Sequence, residues 1–288
     1  MAYTPIRRGW VETDNITIRF TFWLVAYFVH RSIHAIAMGG FVVQIAEVLE
    51  RQRHVEGMLM EVSAAVWCIL LEAQHASWQW SGDHARDYLE IGTFKGKAAS
   101  ILASFTAEYG NRLAIVDPEV RPETRSLLDS ITSTVSYMEM RSEFLAQGDF
   151  LRANLRNLAW AHIDGMHSFA AVVSDVSLCE QMLGDYGIIC IDDFHTDLYP
   201  QIPAAVYKYL YTTPTDLCVF LVGFNKAYLC RNVAFRYFSE FVGKNIHWSL
   251  KELGHLVSLV KTGRHSQFDA HAIAPFQGEH TFGAYVGQ

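Results

Sequence analysis

"DYLEIGTFKGKAASILASFTAEYGNRLAIVDP", Asp87 to Pro118, carries two apolar runs separated by a helical period. DYLEI is a short apolar run that stops at a glycine, and KAASILASFTAEYG has helical spacing and closes at Gly110. RLAIV is apolar again and stops at an acid, Asp117. Strand, helix and strand within about thirty residues make a βαβ unit, whose crossover brings its two strands parallel.

Downstream the alternation continues. The pattern predicts a helix over Glu123 to Thr134, a weaker strand at SYMEMRS, a short helix around Glu143 to Gln147 and a strand at LAWAHIDG. It then predicts a helix at FAAVVSDVSLCEQML, a strand at GIICIDDF and a helix at IPAAVYKYLYT. LCVFLVGFNKAYLCRN reads as a hairpin turning at Asn225 and Lys226. Upstream, Phe20 to Arg51 has helical spacing, although ITIRFTFW alternates enough to leave a strand possible at its start. Val55 to Trp78 is a second helical stretch. The fold class is therefore α/β: a mostly parallel sheet, an antiparallel C-terminal hairpin, and a helical N-terminal region. Beyond Phe235 the chain is mixed and aromatic, with five histidines (His247, His255, His265, His271 and His280).

Composition narrows the function. The 288 residues are 51% hydrophobic and 18% charged, which suits a globular chain with a large core. A net charge of −7 without basic runs leaves no electrostatic footprint for nucleic acid. The longest apolar run near the N-terminus, FTFWLVAYFV from Phe20 to Val29, is too short to cross a bilayer and runs into His30 and Arg31. The stretch from Phe20 to Leu49 is expected to bury its apolar surface against the main domain or a second subunit, and a homo-oligomer is expected. MAYTPIRRGWVETDN lacks the apolar core of a signal peptide, and five isolated cysteines show no disulfide or zinc spacing. A cytoplasmic protein with reduced thiols and no membrane partner is expected.

Gly92 and Gly96 lie where the first strand turns into a helix. Glycine permits positive φ and close backbone approach there. Their G-x-x-x-G spacing is not the G-x-G-x-x-G that holds a dinucleotide pyrophosphate, and Glu90 beside them suits a ligand carrying positive charge. Asp117, about twenty residues on, stands where an acid commonly binds a ribose hydroxyl pair. The alternatives are a bare structural turn and an Asp-Pro turn start.

A second stretch, "AHIDGMHSFAAVVSDVSLCEQMLGDYGIICIDDFH" from Ala161 to His195, ends each of its two strands in acid. Asp164 follows the first, and Asp192 and Asp193 follow the second. Crowded carboxylates repel unless a positive charge lies between them. Magnesium, a hard cation that takes oxygen ligands and keeps several waters, would relieve that repulsion. His167, one helical turn beyond Asp164, titrates near neutrality and suits a general base, with His195 as an alternative. Read structurally, the same acids cap strand ends and His167 packs at a strand–helix junction.

In this order, YLEIGTFKG, IVDPE, HIDGMHSFAAVVSDV and YGIICIDDF resemble the class I S-adenosylmethionine-dependent methyltransferases. They are more similar still to the metal-dependent small-molecule O-methyltransferases of the macrocin and macrolide-sugar type. The resemblance covers about Asp87 to Asn232. Two positions depart from it: Asp185-Tyr186-Gly187 replaces a usual Gly-Gly, and Met166 stands where an acid is commoner.

The resemblance implies a Rossmann-like methyltransferase domain over 81–235, preceded by a helical region over 1–80 serving as oligomer contact or lid. An extension over 236–288 would lie near the active site. It implies S-adenosylmethionine as cofactor, held by Glu90, Gly92, Thr93 and Gly96 on the methionine side, Asp117 at the ribose and Ser142 near the adenine. Asp164 belongs to that cofactor site as well. Asp164, Asp192 and Asp193 are implied as ligands of Mg2+ or another divalent cation, and His167 with Asp164 as the catalytic pair. The expected reaction is O-methylation of a hydroxylated small molecule in natural-product biosynthesis. A non-catalytic S-adenosylmethionine-binding module and a metal-assisted hydrolase on the same fold are the competing readings.

Overall fold

The structure is a computed structural model and describes residues 44–81, 87–145, 155, 157–261 and 270–276. The chain divides into two compact units, Met1–Val42 and Val43–Gln288. The first lies outside the described residues, and with it most of the predicted Phe20–Arg51 helix and the strand considered at its start.

Within the second unit the chain opens with helices α1 (Ile45–Arg53) and α2 (Glu61–Ser81). Strand and helix then alternate: β1 (Asp87–Ile91), α3 (Lys97–Tyr109), β2 (Arg112–Val116), α4 (Pro122–Ile131), β3 (Val135–Met138), α5 (Ser142–Leu145), β4 (Leu158–Ile163), α6 (Phe169–Met182), β5 (Leu183–Ile191) and α7 (Gln201–Thr212). The hairpin β6 (Leu217–Gly223) and β7 (Lys226–Arg231) follows, then α8 (Asn232–Phe241), a π-helical turn (Val242–Ile246), α9 (His247–Glu252), β8 (Val257–Lys261) and β9 (His271–Pro275).

Among the described residues the strands form one nine-stranded sheet in the order β3-β2-β1-β4-β5-β7-β6-β9-β8. Pairings from β3 through β5 are parallel, as the βαβ reading requires. β1 and β4 are buried along their whole length, which is why they read as unbroken apolar runs. The chain moves outward from β1 to β3 and then returns to build on the other side of β1, so the strand order reverses between β1 and β4. Open α/β sheets bind ligands at such a reversal, outside the carboxyl ends of the strands. Gly92, Asp117, Asp164 and Asp192 all leave the sheet at that end.

Three details differ from the sequence reading. The second helix begins at Glu61 and not near Val55, because Gly57 has φ +152°, far from helical backbone. The predicted hairpin is present, but β7 inserts between β5 and β6 and runs antiparallel to both. The third difference is at the C-terminal end, where no strand was predicted. β9 pairs parallel with β6 and β8 pairs antiparallel with β9, so both join the same sheet.

Helix α2 packs a fully buried face that includes Trp67 and Leu70. The Gln74 side chain, itself buried, donates to the backbone oxygens of Ala159 and Tyr186 and so ties α2 to β4 and β5. Trp67 packs against Trp160 of β4 with ring centroids 5.2 Å apart. All five cysteines are free, and four are buried. No described helix is long and apolar enough to cross a membrane.

Candidate active site

The glycine turn after β1 is shaped by its neighbours. Gly92 has φ +84°, and a Cβ there would lie 2.1 Å from the Asp164 carbonyl oxygen. The close approach Gly92 permits is thus backbone to backbone, between the ends of β1 and β4. Gly92 N–H donates to Val116 O (2.8 Å), and Asp164 N–H to Ile91 O (2.8 Å), so the strand ends are stitched together beyond the sheet. Gly96, with φ +80°, packs against the Thr124 methyl of α4.

Asp117 joins this turn directly. Its Oδ2 accepts the Thr93 N–H (2.8 Å) and its Oδ1 the Glu119 N–H (2.9 Å). The acid predicted for a ribose therefore also braces the turn. Thr93 Oγ1 and Glu90 Oε2 are buried polar atoms without a hydrogen-bond partner. Burial raises the Glu90 carboxyl above its ordinary value, opposed by His162 beside it. Ser142, at the start of α5, is buried.

The strand ends after β4 and β5 bring the predicted acids together. His167 Nε2 lies 3.3 Å from Asp164 Oδ1 and 3.4 Å from Asp193 Oδ2, bridging the two carboxylates. The Asp164 carboxylate, then the charges of Asp193 and Asp192, raise the imidazole's affinity for a proton. Tyr199 packs on the imidazole at 4.2 Å between centroids, and the Gln201 side chain donates to the His167 carbonyl. Two clusters with the spacing of metal ligands result among the described residues: Asp164, His167 and Asp193, and His162, Asp164 and Asp192. Asp164 belongs to both.

Several partners of these acids were not singled out in the sequence. Lys226, at the start of β7, is 2% exposed and forms an ion pair with Asp192 Oδ2. The register explains it: Ile191 pairs with Ala227, which sets Lys226 opposite Asp192. His162 is fully buried between Glu90 Oε1 (3.8 Å) and Asp192 Oδ2 (3.4 Å). Burial opposes its charge, but the carboxylates of Asp192 and Glu90 outweigh burial and push its pKa up to about 9. The Asp192 carboxyl, despite burial, is held well below the usual range by His162 and Lys226. Part of the positive charge required by the acid cluster is thus built into the chain. The available signal was period two: His162 and Asp164 share a strand face, and Glu90 pairs with His162 across β1 and β4. His195 does not join the cluster; its N–H donates to Asn225 Oδ1 (3.1 Å).

From β1 to just beyond the acid pair, residues 89–194 match the family model described as a methyltransferase domain. The acid cluster lies within the stretch that matches this methyltransferase-domain model. No curated protein matches the chain. Among solved structures, the chain is similar to CalS11, a TDP-rhamnose 3′-O-methyltransferase of calicheamicin biosynthesis. The identity is 14% over 64% of this chain and 93% of that one, with a TM-score of 0.44. It is similar to MycE, a methyltransferase of the mycinamycin pathway in complex with Mg and SAH, at 14% identity over 80% and 68% and a TM-score of 0.47. SAH-bound PaMTH1 of Podospora anserina matches at 13% identity over 78% and 99%, with a TM-score of 0.45. The methyltransferase-domain match, and not these distant likenesses, supports the reading below.

Proposed function

We propose that the chain transfers the methyl group of S-adenosylmethionine to a hydroxyl of a small metabolite of the natural-product kind. In this reading a divalent cation, Mg2+ or another, is held at Asp164, Asp192 and Asp193. The observation that carries it is the meeting of Asp164, His167 and Asp193 at strand ends within the stretch that matches the methyltransferase-domain model.

The residues present fit both groups. Glu90 Oε2 and Thr93 Oγ1 are buried beside the glycine turn without partners, and buried polar atoms left unpaired in a protein point to a ligand that pairs them. The donor set at Asp164 and Asp193 is carboxylate oxygen, partly exposed, which suits a hard cation that keeps water. S-adenosylmethionine supplies a methyl group already activated by its sulfonium. A divalent cation supplies Lewis acidity toward a hydroxyl oxygen.

The chain's own contribution is position and charge. Glu90, Gly92, Thr93 and Gly96 line the methionine side, Asp117 accepts from the ribose, and Ser142 stands toward the adenine. Asp164 joins the cofactor side to the metal side. His167 Nε2 takes the hydroxyl proton, for which the imidazole must be neutral; the acids around it favour its charged form until another cation shares their charge. The test is transfer from labelled S-adenosylmethionine to a panel of hydroxylated metabolites, with and without chelator. Labelled product that is lost in chelator and restored by Mg2+ is expected. Full transfer in chelator would remove the metal from the reading, and a chain that ignores S-adenosylmethionine would remove the rest.

A further inference from the structure

The turn between β6 and β7 touches both members of the acid pair. Asn225 Nδ2 donates to Asp193 Oδ1 (2.6 Å), while Lys226 pairs with Asp192. The turn is fixed in its own right. Asn225 O accepts the Phe194 N–H (2.9 Å), and Asn225 Oδ1 accepts the His195 N–H. The two acids are also joined to each other, since Asp193 N–H donates to Asp192 Oδ1 (2.8 Å). Asp193 and Asn225 both have left-handed backbone, with φ +54° and +66°. Aspartate and asparagine tolerate this better than most residues. Asp193 is therefore held at its backbone by Asp192 and at Oδ1 by Asn225. Its remaining oxygen, Oδ2, faces His167 and shares that imidazole with Asp164.

We propose that Asn225 is a positioning residue for the cation site: it aims Asp193 Oδ2 at Asp164, so that the two carboxylates converge on one ion. This rests on the metal reading above. A carboxylate hinged only at its backbone rotates about its side-chain bonds, and holding one oxygen fixes where the other points. Partners that orient a ligand in this way typically account for a factor of about 10 to 100 in metal affinity. Lys226 serves the neighbouring acid, holding Asp192 by charge. The hairpin turn thus reaches both acids from outside the methyltransferase-domain match.

The experiment is a calorimetric titration of the full chain with Mn2+, alongside a titration with S-adenosylhomocysteine. Asn225→Gly removes the amide but keeps the left-handed turn. It should raise the Mn2+ dissociation constant by about 10- to 100-fold and leave S-adenosylhomocysteine affinity near the parent's, with a fall in thermal midpoint no larger than the lost His195 N–H bond explains. Asp193→Asn should weaken Mn2+ as well, and adding Asn225→Gly to it should cost little more, because Asn225 acts through Asp193. Equal Mn2+ affinity in Asn225→Gly and parent, or fully additive losses in the double variant, would overturn the positioning role alone. A parent chain that binds no Mn2+ would overturn the metal reading and this role with it.

Discussion

Asp175 lies on α6 with its side chain buried, and the Ser142 hydroxyl is the polar group that favours its charged form. Burial, with the nearby Glu143 charge, raises its pKa from 3.8 to about 6. The folded chain therefore binds this proton more tightly than the unfolded chain does. Asp175 costs no stability below about pH 4, costs increasingly more as pH rises through 4 to 6, and holds that cost above the window. Asp175→Asn should thus stabilise the protein at pH 7.5 by up to about 3 kcal/mol and change little at pH 4. Urea midpoints of parent and variant at the two pH values provide the check; a gain of equal size at both would mean that charge is not the cause. At the acid cluster, His167→Ala should slow methyl transfer by a factor of about 10² to 10⁴, with Mn2+ affinity largely kept. Asp164→Asn should lower both turnover and Mn2+ affinity. Single-turnover rates and calorimetry separate the two roles.

At the scale of elements, two glycines hold the sheet's pieces in register. Gly223 ends β6 with φ +150°, and a Cβ there would lie 2.2 Å from the Ile273 carbonyl oxygen of β9. Gly223→Ala should push β9 away and destabilise the protein by about 1–3 kcal/mol, the usual scale for backbone forced into such a region. A lowered urea midpoint with S-adenosylhomocysteine affinity retained is expected, since β9 is far along the sheet order from β1 and β4. Gly92 should behave differently. A side chain there meets the Asp164 backbone, so Gly92→Ala should disturb the ends of β1 and β4 together. Stability and cofactor affinity should fall in parallel. An Asp117→Ala variant isolates the polar loss better: it frees the Thr93 N–H and should cost about 1–3 kcal/mol.

Among the described residues the candidate chemistry gathers at one end of a single sheet. Strands β1, β2, β4 and β5 each deliver a glycine or an acid at their carboxyl ends, and the hairpin returns Asn225 and Lys226 to the same place. Beyond this unit, the sequence carries FTFWLVAYFV between Phe20 and Val29. Eight large apolar or aromatic side chains within these ten residues would favour association if left in water. The chain should therefore form a homo-oligomer, with more than one chain per particle by sedimentation or light scattering at micromolar concentration. A monomer would reject that expectation.

The parallel α/β core was legible in the residues alone, because buried parallel strands leave unbroken apolar runs between helical periods, and each run here stops at a glycine or an acid. For the same reason Gly92, Asp117, Asp164, Asp192 and Asp193 were legible as a set: strand ends on one edge of such a sheet converge. Even the turn at Asn225 and Lys226 could be read, as local turn chemistry. What that turn does depends on long-range pairing. Insertion of β7 beside β5 sets Lys226 opposite Asp192 through backbone register between segments over thirty residues apart. No local pattern encodes that pairing. The edge strand β8 and its neighbour β9 were hidden likewise, because short strands of mixed polarity gain their stability from the strands they pair with. His162 read as one histidine among thirteen; the two carboxylates that flank it, a property of three strands together, are what raise its affinity for a proton against the cost of burial.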